Sequence, residues 1–344
     1  MPEMKAAVFA EHGGPEVLEI VGLPVPEPGP GEVRIRVHAA SMNHLDLWVR
    51  RGLPIEITMP HIGGSDIAGV VDAVGPGVED VPLGVRVVAD PSLDYGWYEG
   101  RPRGPSMPDR ALRLIGEHTQ GGFAEYAVVP AVNLLEIPED IAFETAAAAG
   151  LVSVTAWRGL MVRGGLRAGE SVLITGASGG VSTMAIQIAR MAGARVFAVT
   201  SGEGNAERVR ALGADVVYDR TAMDFGRAVW RDTEKRGVDL VFDSVGQALW
   251  PSNLKALAPR GRLVTFGATT GALGETEIRL VFWRQLSILG STMGTPAEFR
   301  EVMGHVFGGL LTPVIHEVLP LEEIRRAHEL LESGAAFGKL VLRP

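Results

Sequence analysis

The segment SVLITGASGGVSTMAIQIARMAGARVFAVT (171–200) sets a glycine turn between an apolar run and a helical stretch, then follows the helix with a second apolar run. Gly176 lets the chain turn at the end of the first run. Gly179 and Gly180, without Cβ atoms, let backbone amides approach a pyrophosphate at the positive end of the helix. The chemistry this predicts is dinucleotide binding. Where the second run ends, in AVTSGEGN, an NAD site commonly carries an acid that accepts from the ribose hydroxyls. Thr200 and Ser201 stand there instead. Without that carboxylate a 2′-phosphate meets less repulsion, so NADPH is expected over NADH. Asn205 stands where a cation for the phosphate is expected, Arg208 follows one helical turn on, and Glu203 weighs toward NADH.

Such a turn needs a parallel sheet to hold it, and residues 153–291 supply the pattern. Short apolar runs (SVLIT, RVFAVT, DVVYD, DLVFDSV, RLVTFG) alternate there with helical stretches (TMAIQIARMAG, AERVRALG, LKALAP), as in a doubly wound α/β domain. The first third is different: KAAVFAE, VLEIV, EVRIRVHAA, GVVDAVG and RVVAD are strand-like and broken by Gly and Pro. The chain ends in FREVMGHVFGGL, EEIRRAHELL and a final strand, KLVLRP. The expected organisation is a β-rich domain from 1–152 and 292–344 around a dinucleotide-binding domain at 153–291.

Composition bounds the rest. A chain of 344 residues, 46% hydrophobic, is long enough for about two domains with sizeable cores. The apolar runs, such as AAAAGLVSVTAW, stop short of the ~20 residues a membrane span needs. A net charge of −9 opposes broad attraction to nucleic acid or anionic lipid. With no cysteine there is neither disulfide nor thiolate ligand. The expected partner is a small-molecule substrate, with neither nucleic acid nor membrane, and the default compartment is the cytoplasm.

Seven blocks, in order along the chain, resemble the medium-chain dehydrogenase/reductase superfamily, its alcohol dehydrogenase and quinone oxidoreductase group. They are AASMNHLDLWVRRG (39–52), PHIGGSDIAGVVDAVGPGV (60–78), GGFAEYAVVP (121–130), TGASGGV (175–181), ALGAD (211–215), RLVTFG (262–267) and FGKLVL (337–342). The resemblance implies an α/β protein: a GroES-like β-rich catalytic domain plus a Rossmann, doubly wound parallel-sheet cofactor domain, with the active site in the cleft between them. It further implies cofactor contacts from Asn43, Thr155, the turn Gly176, Ala177, Ser178, Gly179, Gly180 and Val181, from Thr200, Ser201, Gly202, Asn205 and Tyr218 on the adenosine side, and from Val245, Gly246, Phe266, Gly267 and Ala268. Tyr218 equally suits ordinary strand packing.

The zinc enzymes of this family place Cys, His and Cys where this chain has Asn43, Ser65 and Leu151. Neutral Asn, Ser and Leu cannot replace two thiolates and an imidazole around Zn²⁺, so no metal is expected. His44, His61, Asp46 and Asp66 are read as hydrogen-bonded structural groups, with Asp66 pairing with Lys339. The proton relay of the alcohol dehydrogenases falls on Leu45 and Trp48, which carry no exchangeable proton suited to it. The resemblance therefore points to zinc-independent, NADPH-dependent reduction of a quinone or α,β-unsaturated carbonyl. In that reading Asn43 positions the nicotinamide ribose, Ser65 or His44 donates to the developing oxyanion, and Trp48 walls the pocket. His44 suits pyrophosphate contact better than catalysis. Two alternatives stay open: a zinc-free, alcohol dehydrogenase-like aldehyde or ketone reductase, and a catalytically silent NADPH-binding module.

Two further expectations concern the surface. In LDYGWYEGRPRGPSMPD (93–109), Tyr95, Tyr98, Arg101 and Asp109 fall on the spacing of the family's four structural-zinc cysteines, which predicts an Arg101–Asp109 salt link beside packed tyrosines. RQLSILGSTM is strand-like and lies where the family pairs edge strands across a two-fold axis, which predicts a homodimer or a tetramer.

Overall fold

The computed structural model describes residues 2–93 and 112–344, and the chain divides into two compact units, Met1–Leu151 with Gly294–Pro344, and Val152–Met293. Tyr95, Tyr98, Arg101 and Asp109 lie outside the described residues.

The first unit starts with β1 (Glu3–Val8), antiparallel to β2 (Glu19–Pro24). β3 (Glu32–Ser41) follows, with Val33, Ile35 and Val37 buried on alternate positions, the period of a half-buried strand. Helix α1 (His44–Arg51) comes next, then β4 (Asp66–Val74), β5 (Arg86–Ala89), β6 (Tyr126–Pro130) and β7 (Leu134–Glu136). β3 pairs antiparallel with β4 along most of its length, and its other edge takes β6 near Glu32–Arg36. Helix α2 (Phe143–Trp157) continues through a π-helical turn (Arg158–Arg163), giving 21 helical residues that by length and composition alone suit a membrane. The helix outruns the apolar stretch seen in the sequence, and 78% of its most apolar window is buried inside the protein, so it is a core helix.

The second unit alternates β8 (Ser171–Ile174), α3 (Gly180–Met191), β9 (Arg195–Thr200), α4 (Glu203–Ala211), β10 (Val216–Asp219), α5 (Phe225–Asp232), β11 (Val238–Asp243), α6 (Trp250–Ala256), β12 (Leu257–Thr265), α7 (Ile278–Arg284) and β13 (Ser287–Gly290). All pairs in its six-stranded sheet are parallel, in the order β10-β9-β8-β11-β12-β13. β8 and β11 flank the point where strand order reverses, the place where open α/β sheets take ligands beyond their carboxyl ends. This is a Rossmann-type sheet.

The chain then returns to the first unit with α8 (Pro296–Phe307), β14 (Ile315–Pro320), α9 (Ile324–Glu332) and β15 (Lys339–Arg343). β15 pairs antiparallel with β3 at Ala40 and Ser41, the end of that edge β6 leaves free. The last strand thus lies against the residues that lead into α1.

Candidate active site

In the first unit, α1 begins where β3 ends, and Asn43 is its N-cap. Asp46, one turn in, accepts from Asn43 N–H at 2.7 Å and from Gly64 N–H at 3.0 Å. One carboxylate so fixes both the helix start and the 63–65 segment. Asp46 is buried, and burial pushes its pKa up to about 6 despite those two amide donors.

Beside it lies a closed polar ring. Asp66, at the start of β4, accepts from Asn43 Nδ2 at 2.9 Å, from Lys339 Nζ at 3.2 Å and, through its other oxygen, from Leu151 N–H at 2.6 Å. Lys339 Nζ also donates to Asn43 Oδ1 and to the Met42 carbonyl, both at 2.6 Å. Every member is buried, and the Lys339 ammonium is lowered from its ordinary value by burial against the opposing pull of Asp66. The Asp66–Lys339 pair expected from the sequence is present. It also engages the Asn43 carbonyl with Lys339 and one amide hydrogen with Asp66, leaving the second amide hydrogen over. Next to this ring Ser65 is fully buried, and its Oγ has no hydrogen-bond partner. A buried hydroxyl without a partner is costly, and so marks a place where a ligand oxygen can complete the site.

A catalytic zinc does not fit these donors. Asn43 Oδ1 faces an ammonium at 2.6 Å, Leu151 offers only hydrocarbon, and among the described residues no group of three or more His, Asp or Glu is placed to hold a metal. His44, His61, Asp46 and Asp66 form no such group. His44 is exposed, His61 is buried with Nε2 3.1 Å from the Gly116 carbonyl, and Leu45 packs on the apolar core. Trp48 is half-buried, with the Arg51 guanidinium 5.5 Å above its ring.

The second unit holds the glycine turn as the sequence describes it. Gly176 has φ +55°, and a Cβ there would stand 3.2 Å from Val245 Cγ2. Gly246 has φ +77° and lies against Ala268, where a Cβ would meet the Ala268 Cα at 2.9 Å. Both positions therefore require glycine. Asp243, fully buried at the end of β11, ties these loops together by accepting from Thr175 Oγ1 and from the N–H groups of Val245 (3.3 Å) and Gly246 (2.9 Å). Phe266 stacks on Phe242 at 4.1 Å, its N–H donates to the Asp243 carbonyl, and Thr269 and Thr270 donate back to Ser244 and Val245. Gly267 and Ala268 ride on that loop. Thr155 is buried, with Oγ1 3.9 Å from Met293 Sδ.

At the end of β9, Thr200 Oγ1 is buried without a partner, while Gly202 and Gly204 have nothing within 4 Å of where a Cβ would stand. These residues fit a dinucleotide: backbone without side chains at the turn, open space at the ribose end, and a hydroxyl awaiting a partner. Asn205 spends its amide on the Ser201 carbonyl. Tyr218 is 2% exposed, stacked on Phe197, with its hydroxyl donating to Asp232 at 3.1 Å, which is the strand packing that the sequence left open beside an adenosine contact. The groups at that end of β10 are Asp219 and Arg220. Parallel register sets Asp219 beside Thr200, and Arg220 N–H donates to the Thr200 carbonyl at 3.0 Å with its side chain exposed. Asp219 is held by Thr221 N–H and Oγ1, at 2.9 and 2.7 Å. Neither residue was singled out from sequence, since both lie outside the glycine motif and only the strand pairing brings them to its edge.

Residues 29–139 match the alcohol dehydrogenase GroES-like domain and residues 180–307 the zinc-binding dehydrogenase family. The human quinone oxidoreductase is 30% identical over 98% of this chain and 97% of its own length. A crotonyl-CoA reductase of Streptomyces avermitilis is 32% identical over 99% of this chain and 86% of its own. A solved NAD-dependent alcohol dehydrogenase shares 44% identity and superposes with a TM-score of 0.92 over 99% of this chain and all of that one. The chain belongs to the medium-chain dehydrogenase/reductase superfamily, in the zinc-type alcohol dehydrogenase and quinone oxidoreductase group. It is an oxidoreductase of a family that uses NAD(P)H.

Proposed function

We propose that this chain reduces a quinone or an α,β-unsaturated carbonyl by hydride transfer from NADPH, without zinc. The observation that carries this reading is the fully buried, unpartnered Ser65 hydroxyl beside the Asn43–Asp66–Lys339 ring, standing where the family's metal enzymes place a ligand. When bound, the nicotinamide would supply a hydride, one proton carried with two electrons. Hydride added to the far carbon of a conjugated carbonyl leaves an enolate or phenolate, a weaker base than an alkoxide. One or two hydrogen bonds suffice to hold it. Ser65 Oγ–H and the remaining Asn43 amide hydrogen are such donors, and Lys339 keeps the amide in the orientation that presents its NH₂. Two curated relatives are named for acceptors of this kind, a quinone and a crotonyl thioester.

For the cofactor, Thr200 and Ser201 replace the acid at the end of β9, and Arg220 supports a 2′-phosphate from the neighbouring strand. An enzyme drawing on NADPH in this way suits the cytoplasm. For assembly, α7 and β13 offer an apolar face at the sheet edge, with Ile278, Phe282, Trp283 and Ile288 exposed, which supports a homodimer or a tetramer built from such pairs.

A panel with NADPH tests the reading: 1,4-benzoquinone, cyclohex-2-enone, crotonyl-CoA and benzaldehyde as acceptors, with alcohol oxidation by NADP⁺ in reverse. The expected result is turnover of the conjugated acceptors and none of the alcohols. Alcohol oxidation would establish the aldehyde reductase instead, and tight NADPH binding without turnover the silent module.

A further inference from the structure

Three carboxyl groups of the first unit are electrostatically linked, and two of them, Asp66 and Asp46, act on one buried cation. Asp66 holds Lys339, and Asp46 feels both Lys339 and Asp66 while its own oxygens take two backbone amides. The third is Glu117, which lies in the electrostatic reach of Asp46. Its side chain is only 13% exposed, and among the described residues its polar neighbour is His118 Nδ1, 3.5 Å from Oε2. That nitrogen already accepts from Leu114 N–H at 3.2 Å. A ring nitrogen that accepts carries no proton, so His118 is the neutral Nε2–H tautomer, and burial and the Arg113 charge keep its pKa low. Glu117 thus has a lone pair 3.5 Å away and lies within the electrostatic reach of the Asp46 carboxyl. A carboxyl group in that position keeps its proton, and burial first, then the Asp46 charge, push its pKa up to about 7.

The turn that carries Glu117 is anchored to the segment that carries Ser65. Gly116 has φ +75° and touches Gly64 so closely that a Cβ would stand 2.7 Å from the Gly64 carbonyl carbon. Gly122 N–H donates to the Gly64 carbonyl at 2.8 Å, and His61 Nε2 lies 3.1 Å from the Gly116 carbonyl. Glu117 and Ser65 therefore each lie one residue beyond the same backbone contact. Among the described residues, the titratable and charged groups around Glu117 are Asp46 from α1, His118 and Arg113 from its own loop, His61 from the loop before β4 and, beyond Asp46, the Asp66–Lys339 pair.

We propose that Glu117 is the proton donor of the reduction. The proposal rests on the reductase reading. The hydride pair forms a C–H bond at the β-carbon and leaves an enolate. The Glu117 O–H bond then breaks, its proton forms the second C–H bond at the α-carbon or an O–H bond on a quinone-derived phenolate, and the resulting carboxylate is reprotonated by solvent through its exposed edge. No further oxidant or reductant is needed.

The test compares wild type, Glu117→Gln and Glu117→Asp as full chains, reading kcat for cyclohex-2-enone between pH 5.5 and 9, NADPH affinity by fluorescence, and the infrared band of protonated carboxyl. Wild-type kcat should fall about tenfold per pH unit above the Glu117 pKa, because the acid form is the active one. Glu117→Gln should lose about 100-fold in kcat at pH 6 and its pH inflection, with NADPH affinity unchanged. Glu117→Asp should recover part of the rate with a displaced inflection, and a carboxyl band that titrates near neutrality should vanish in Glu117→Gln alone. Wild-type rate and inflection in Glu117→Gln would overturn the proposal and leave the reductase standing. Should the glutamine variant not fold, an unshifted inflection in Glu117→Asp overturns it as well. Failure of the wild type to turn over any conjugated acceptor removes the reductase reading and the proposal together.

Discussion

At the scale of single residues, Lys339 is buried with three acceptors, so its charge is held by Asp66, Asn43 and the Met42 carbonyl, with Asp46 nearby. Removing one partner of such a pair strands the other. Lys339→Met should cost about 3–5 kcal/mol of stability in urea unfolding, and adding Asp66→Asn should restore much of it. Arg220 belongs to the same scale at the other ligand. Arg220→Ala should weaken NADPH about tenfold by fluorescence titration and leave NADH unchanged, since only the 2′-phosphate distinguishes them. Asn43, Ser65 and Asp66 were readable in the sequence because they stand in ordered motif blocks. Glu117 was not, for an acid in GEHTQGGF shows neither its burial nor its nearness to Asp46. Tyr218 was placed by motif distance, and the fold spends its ring on the core and its hydroxyl on Asp232.

At the scale of elements, the glycine turn, the alternating strands and the closing strand were legible because each follows from local pattern: period-two burial, a strand-turn-helix motif, apolar runs of strand length. The extent of α2 was not. Its tail RGLMVR, bounded by two arginines, extends the helix through a π turn with Gly159 and Leu160 buried. β13 is a further case, short and with three of its four residues exposed. Among the described residues β12 lies on one side of it and no strand on the other. Trp283 on the adjacent α7 is 81% exposed, a large apolar side chain to leave in water. Charging this face, with Trp283→Lys and Ile288→Lys together, should turn a dimer into a monomer in sedimentation velocity, with NADPH affinity retained. An unchanged sedimentation coefficient would rule out this edge as the interface.

For the whole molecule, the two raised carboxyl pKa values set a sign for stability against pH. Asp46 and Glu117 ordinarily titrate near 3.8 and 4.5 and are raised to about 6 and about 7. Their contribution is fully present below their unfolded values and is lost as pH rises through the folded ones. Between pH 5 and 8 the urea midpoint should therefore decline on their account, and Glu117→Gln should flatten the upper part of that decline. A midpoint that rises over this range in wild type and variant alike would show that other groups outweigh them.

The return of the chain to its first unit has one more consequence, in the order in which the protein is made. The residues of the second unit leave the ribosome as one uninterrupted stretch and can form their sheet while synthesis continues. The first unit cannot finish so early. Asp66 emerges 273 residues before Lys339, the cation it pairs with, and the edge of β3 at Ala40 and Ser41 waits about as long for β15. Until then a carboxylate and an open strand edge remain to be shielded by water or by a chaperone, so nascent chains arrested before Lys339 are expected to expose the first unit to protease while the second resists.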